Sequence, residues 1–233
     1  MLKSKEFFET LLINHPVRGR IPFKLRSFQE KLIDMVLNEQ VNFFLKARQL
    51  GFTTTFNALA YWMAVSATSP KKILIMTNSA TTGKQWLKRI KSWNNDSKIP
   101  LSKLVVSHEN YVKFANGSTI RVTTPNCVCG ETVDVIILDE FAYYKGLIAN
   151  LTAVWPTLAP DGKIIAFTSA PHSTEEKNLK EFSEFWKNLK KNELVNTAEF
   201  PWYVDETKDY AWYKEQANCM GKNSSKQELE CKF

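Results

Sequence analysis

The sequence has no C-x-x-C pair. Its four cysteines, Cys127, Cys129, Cys219 and Cys231, are joined by only three histidines, His15, His108 and His172. That set argues against a zinc site. No stretch resembles a secretory signal, and the apolar run around residues 58–67 is too short and too amphipathic to cross a bilayer. These absences lead us to expect an intracellular soluble protein with reduced thiols and no membrane partner. Internal repeats and low-complexity segments are also missing.

What is present is a core-forming composition. Of 233 residues, 44% are hydrophobic, including 15 Phe and 7 Trp, enough for one large domain or two small ones. Lys and Arg exceed Asp and Glu by 31 − 24 = 7, with a pI near 9.1. A moderate excess of this kind favours a polyanionic partner, with a basic solvated surface as the plain alternative.

The chain is organised around residues 41–56, VNFFLKARQLGFTTTF. An apolar run of strand length, Val41 to Leu45, meets a polar loop from Lys46 to Thr54, and helical spacing follows from Thr55. Strand, tight loop and helix form an anion cradle of backbone N–H groups and helix dipole. Laid on G-x-x-x-x-G-K-[ST], Lys46 falls on the first glycine, Gly51 on the second, Phe52 on the lysine and Thr53 on the hydroxyl position. Lys46 could instead supply the cation from the loop's start, and Thr53 keeps the hydroxyl for Mg²⁺. A plain strand-to-helix turn is the competing reading.

The first 22 residues read as an arm, with His15, Pro16, Gly19 and Pro22 after a short amphipathic segment. Residues 23–40 show helical spacing and carry Gln29, whose amide suits an adenine edge or a solvated surface. KKILIMT (71–77) reads as a buried strand. Residues 79–93 read as a basic amphipathic helix with Trp86, Leu87, Ile90 and Trp93 inward and Lys84, Lys88, Arg89 and Lys91 outward, for DNA phosphates or for solvent. Asn116-Gly117 signals a hairpin, and 125–131 a loop. Val133–Leu138 is a buried strand ending in Asp139-Glu140. A helix is expected over about 147–157, a turn at Asp161-Gly162 and a strand over 163–170 ending in Thr168 and Ser169. Helix-like segments at 175–191 and 208–217 and an edge strand at 200–204 complete the pattern. Apolar strands alternating with helices predict an α/β fold with a mainly parallel sheet covered on both faces, and ligands gather at its carboxyl edge.

Three polar groups end there. Asp139 would hold Mg²⁺ and Glu140 would polarise an attacking water; two acids ending a strand in solvent are the alternative. Thr168 or Ser169 could sense a γ-phosphate, or simply cap a strand. Arg48 could stabilise charge on that phosphate, or pair with an acid.

Lys46-Ala-Arg-Gln-Leu-Gly-Phe-Thr-Thr, Asn116-Gly-Ser-Thr-Ile, Val135-Ile-Ile-Leu-Asp-Glu-Phe-Ala and Thr168-Ser-Ala-Pro, in that order, resemble the ATPase domain of terminase large subunits, the motors that package DNA into tailed-phage heads. The resemblance covers roughly residues 23–233. It implies a P-loop NTPase of the RecA/ASCE type, with ATP and Mg²⁺ as ligands. The Walker A residues would be Lys46, Ala47, Arg48, Gln49, Leu50, Gly51, Phe52, Thr53 and Thr54. Asp139 and Glu140 would form Walker B, Thr168-Ser169 the coupling motif, and Gln29 an adenine contact. It further implies double-stranded DNA, a portal protein and a terminase small subunit as partners, a homo-oligomeric ring on the procapsid, and a place in the host cytoplasm rather than the mature virion.

Three departures stand out. Phe52 replaces a common lysine, although some members carry it at the loop's start as Lys46 does. Cys129-Gly130 replaces an Arg-Gly that often precedes Walker B. Pro171-His172 replaces Pro-Asn-Gly after the coupling strand. Residues 170–233 read as a C-terminal subdomain leading to the family's nuclease domain, which the reading places outside this chain, through truncation or on another chain. A helicase-like ATPase, or a nucleotide- or DNA-binding module without turnover, remain the rival readings.

Overall fold

The computed structural model describes residues 4–15, 17–97, 102–125, 130–171 and 176–232. Pro16, Cys127, Cys129 and His172, named above, lie outside them. The first element, α1 (Ser4–Glu9), is too short to persist alone. It is held by Phe7 and Phe8, both fully buried. Phe7 meets Tyr61 at 5.4 Å and Phe8 stacks on Phe23 at 5.9 Å. Strands β1 (Leu12–His15) and β2 (Gly19–Pro22) form an antiparallel hairpin, and Trp93 Nε1 donates to Leu12 O at 2.8 Å. The segment read as an arm is thus packed onto the body.

Helix α2 (Ser27–Asn38) buries Phe28, Gln29, Leu32, Ile33 and Val36. Strand β3 (Val41–Lys46) leads to α3 (Phe52–Val65), which starts three residues before the expected Thr55. Gly51 causes this: its φ of 76° turns the chain straight into the helix, a conformation that costs a side chain dearly. Strand β4 (Lys72–Thr77) is followed by α4 (Ala80–Asp96), whose N-cap Ser79 accepts from Thr82 N at 3.2 Å. Trp86, Leu87, Ile90 and Trp93 face inward as the spacing predicts.

Strands β5 (Leu104–Ser107), β6 (Tyr111–Phe114) and β7 (Thr119–Thr123) form a meander, with the Asn116-Gly117 turn between the last two. Strand β8 (Val133–Asp139), helix α5 (Leu147–Val154) and strand β9 (Leu158–Thr168) follow. The expected turn at Asp161-Gly162 lies inside β9. Val133 pairs with Leu158 but Val135 pairs with Lys163, so the intervening residues bulge. A Cβ on Gly162 would come within 2.6 Å of Leu158 and 2.9 Å of Ala159 O, so the bulge needs glycine. Helix α6 (Glu176–Lys190) precedes β10 (Asn196–Phe200). The edge strand therefore ends where the sequence reading began it. Pro201 lacks an N–H for the ladder, and Trp202–Val204 is a 3-10 turn. Helices α7 (Tyr210–Met220) and α8 (Lys222–Glu230) close the chain; α8 lies beyond any expected helix.

The main sheet has the order β10-β3-β9-β8-β4-β7-β6-β5. All pairs from β10 to β7 are parallel, and the last two are antiparallel. Alternate residues enter two cores. Phe44, Ile75, Ile137 and Phe167 join the α1–α4 side, while Phe43, Leu45, Leu138 and Ala166 join the α5–α6 side. Burial on both faces explains why the strands read as unbroken apolar runs. One intervening strand, β9, separates β3 from β8. Among the described residues no helix is long and apolar enough to cross a membrane.

Phe52 anchors the first core. It is 1% exposed, with ring centroids of Phe200 at 5.2 Å, Phe56 at 5.7 Å and Phe167 at 6.0 Å. A charge placed there would be buried without a partner. Phe52→Lys is expected to lower unfolding free energy by about 3 kcal/mol or more, and Phe52→Leu by about 1 kcal/mol, in urea titrations followed by circular dichroism.

Candidate active site

The parallel topology brings the carboxyl ends of β3, β9 and β8 to one edge, and the three polar groups meet there. A cavity of about 570 Å³ is lined by Lys46, Arg48 and the loop from Gln49 to Thr54, with Glu140, Tyr143 and Ser169 opposite. The loop is held from behind. Ala47 N donates to Phe200 O at 2.7 Å and Arg48 N to Glu228 O at 2.9 Å. Lys208 Nζ donates to Arg48 O at 3.4 Å and Gln49 O at 3.2 Å. Gln49 adopts φ 60°, an uncommon conformation for a residue with a side chain. The first-turn N–H groups of Phe52, Thr53 and Thr54 have no acceptor within α3, and these residues line the cavity. The result is an anion cradle at a helix N-terminus.

Lys46 Nζ lies 2.6 Å from Glu140 Oε1. The other oxygen, Oε2, accepts from Ser169 N at 2.8 Å, Thr168 Oγ1 at 3.2 Å and Ser169 Oγ at 3.3 Å. Burial alone would raise the Glu140 pKa, but the Lys46 charge and these donors outweigh it and hold the pKa below the ordinary value. Glu140 also sits at φ 55°, in the left-handed region, its N–H bonded to Phe167 O at 2.8 Å. Strain of this kind costs of order 1 kcal/mol and clusters at functional sites. Neighbouring Asp139 is the opposite case. Burial, then the Glu140 charge, pushes its pKa up to about 7. Oδ2 accepts from Trp86 Nε1 at 2.8 Å, while Oδ1 is buried with no hydrogen-bond partner. Tyr144 OH donates to Met76 O at 2.7 Å and Asp139 O at 3.1 Å, fixing the strand end.

This donor set fits a hard divalent cation. A buried carboxylate oxygen without a partner, its acidity depressed by burial, is the group a cation would satisfy, and the nearby Thr53 hydroxyl partly offsets the rise in the Asp139 pKa. Among the described residues no cluster of three or more His, Cys, Asp or Glu side chains could hold a metal.

Other residues fall differently from the sequence reading. Gln29 is 3% exposed and lies behind the loop. Its Oε1 accepts from Arg26 N at 3.0 Å and its Nε2 donates to Leu50 O at 3.2 Å, so here it braces the loop. Phe52, in the lysine position, points into the core. Arg48 forms an ion pair with Glu228, the acid-paired alternative. Arg89, expected outward, turns in, and its Nη1 donates to Thr54 Oγ1 at 3.1 Å. Sequence reasoning missed Tyr143, Trp86, Tyr144, Lys208 and Glu228. Only Trp86 carried a signal, as an inward residue of α4; the others arrive through contacts distant along the chain.

No family model matches the sequence, and no curated protein matches it. Solved structures do. The large terminase ATPase domain of Thermus phage P74-26 superimposes with a TM-score of 0.69 at 16% identity, covering 91% of this chain and 94% of that one. The large terminase of bacteriophage HK97 gives a TM-score of 0.72 at 14% identity, over 97% of this chain and 53% of that one. A large terminase from a thermophilic bacteriophage, in complex with ATP-γ-S, gives 0.64 at 10% identity over 88% and 51%. The chain has the fold of large terminase ATPase domains.

The Asp139 carboxyl sets a pH dependence. A carboxyl with a raised folded-state pKa favours folding while protonated, and that contribution is lost as pH rises from about 4 to above 7. In EDTA, Asp139→Asn is therefore expected to stabilise the chain at pH 8 by roughly 2–4 kcal/mol, with the gain fading towards pH 4. Thermal melts of both proteins across this range check it.

Proposed function

We propose that this chain is the ATPase motor domain of a phage terminase large subunit, hydrolysing ATP to drive double-stranded DNA into a procapsid. The observation that carries the reading is the contact of Lys46 with Glu140, whose other oxygen is held by Ser169 and Thr168. The loop's cation, an ionised acid and a third strand end are linked above one cavity, in the fold of terminase ATPase domains. A large terminase with that fold was crystallised with ATP-γ-S.

The roles follow from chemistry. Loop N–H groups and the α3 dipole hold phosphate oxygens. Lys46, which turns on a flexible stem, moves from Glu140 to the phosphates and takes the place of the lysine absent at 52. Thr53 and Asp139 would hold Mg²⁺, which would neutralise charge on the phosphates. Glu140 is ionised and orients the water that attacks the γ-phosphorus. Arg48 stabilises charge on the γ-phosphate after it leaves Glu228. Thr168 and Ser169, bonded to Glu140, pass the loss of that phosphate to β9. This reading carries with it a portal protein and small subunit as partners, a homo-oligomeric ring, and work in the host cytoplasm during assembly.

The test is Mg²⁺-dependent phosphate release from ATP, with and without duplex DNA. Turnover is expected in the parent, with a loss of at least about 100-fold in Glu140→Gln and a comparable loss in Lys46→Ala. Glu140→Gln should still bind ATP in a titration. Unchanged turnover in Glu140→Gln would overturn the assignment, and turnover surviving Lys46→Ala would remove Lys46 from it.

A further inference from the structure

A second groove, of about 400 Å³, opens beside the loop between the β1–β2 hairpin and α4. Arg20, Lys88 and Arg89 line it together with Gln85 and Trp93, and no carboxylate does. It adjoins the active-site cavity at Thr54, which lines both. The basic residues of α4 divide into two pairs. Lys84 is bound to Glu109 at 2.7 Å, and Lys91 Nζ donates to His108 O at 2.7 Å. Lys88 and Arg89 turn to the groove, and at its far side Arg20 is paired with Asp96.

Arg89 is the unusual member. It is half-buried, and its neutral partner is Thr54 Oγ1 at 3.1 Å. Among the described residues it makes no ion pair. A guanidinium has five donors, so most are free, and its withdrawal from water is not offset by an adjacent acid. Burial lowers its pKa, and Asp139 offsets this only from a distance. A cation held in this way is complete when an anion sits beside it. The groove displays its charges along a helix face, Lys88 exposed at the rim and Arg89 below. That arrangement suits a repeating anion better than a single enclosed one, and the chain's net charge of +7 points the same way.

We propose that this groove takes the phosphodiester backbone of double-stranded DNA, with Lys88 and Arg89 as the phosphate contacts. The hydrogen bond from Arg89 to Thr54 ties that contact to the nucleotide loop. The inference rests on the motor reading above and adds the place where the duplex is felt. A phosphate that draws Arg89 towards the groove disturbs Thr54, next to the Mg²⁺-holding Thr53. By linkage, the duplex then alters nucleotide affinity by the same factor as the nucleotide alters duplex affinity. The contact carries no base readout and is salt-sensitive.

The experiment is fluorescence anisotropy of a labelled 20-bp duplex with the 233-residue chain over a range of salt. Parent, Lys88→Gln, Arg89→Gln, Arg89→Lys and a remote control, Lys113→Gln, are compared after circular dichroism has shown each to be folded. Lys88→Gln and Arg89→Gln are each expected to weaken binding about 3- to 10-fold and to lower the slope of log K against log salt by about one. Arg89→Lys should keep the slope, and Lys113→Gln should match the parent. Parent-like affinity and slope in both glutamine variants would overturn the proposal. So would calorimetric binding of inorganic phosphate that Arg89→Gln abolishes in a chain that binds no duplex. Phosphate release from ATP is measured alongside. Turnover without duplex binding overturns the groove assignment and leaves the ATPase reading standing. Duplex binding through Lys88 and Arg89 without turnover does the reverse.

Discussion

The contact between Lys46 and Glu140, 2.6 Å across the mouth of the cavity, depends on almost every other feature of the fold. The two residues end strands that are not neighbours. β9 lies between them, and its last residues, Thr168 and Ser169, fill the gap by donating to Glu140. A one-residue slip in any of the three strands would turn one of these groups to the other face. The register is pinned by apolar residues that alternate between two cores, so the polar edge is as well defined as the interior beneath it. The two adjacent acids, Asp139 and Glu140, are tuned apart by this geometry. Glu140 has a cation and three donors and stays ionised; Asp139, one residue away and buried, has one tryptophan N–H and an unanswered oxygen. Neighbouring titratable groups pushed in opposite directions mark a division of labour.

The loop itself has little shape of its own. Two of its N–H groups are taken by β10 and α8, and two of its carbonyls by Lys208. Lys208 in turn lies 4.1 Å over the Trp212 ring of α7. The last third of the chain therefore forms the back wall of a loop coded near its beginning, and Glu228 holds the side chain of Arg48 in the same region. Motion of α7 and α8 cannot leave the anion cradle untouched.

Much of this was legible in the sequence. The apolar runs 41–45, 71–77, 133–138 and 163–168 carry their own periodicity, and parallel strands buried on both faces follow from them. The site's core, Lys46, Thr53, Asp139, Glu140, Thr168 and Ser169, was legible because strand ends in such a sheet converge. What was hidden depended on direction. Gln29, Arg48 and Arg89 are polar residues near a polar site, and nothing local says whether each faces the cavity, an acid or a backbone carbonyl. The segment before residue 23 looked loose because its anchors, Phe7 and Phe8, pack on Tyr61 and Phe23, contacts no short window contains. The bulge at Asp161-Gly162 was misjudged because Asp-Gly favours turns, whereas pairing with β8 at Leu158 before it and at Lys163 after it kept the strand going.

The burial of Phe52 bears on how such loops change over generations. Replacing it with lysine does not convert this loop into the common form, because the new side chain would have to leave a pocket formed by Phe28, Phe44, Phe56, Phe167 and Phe200. Conversion requires that five-ring pocket to be refilled as the lysine enters. The aromatic cluster under the loop thus keeps position 52 apolar, and any cation for the cradle has to come from elsewhere on its rim.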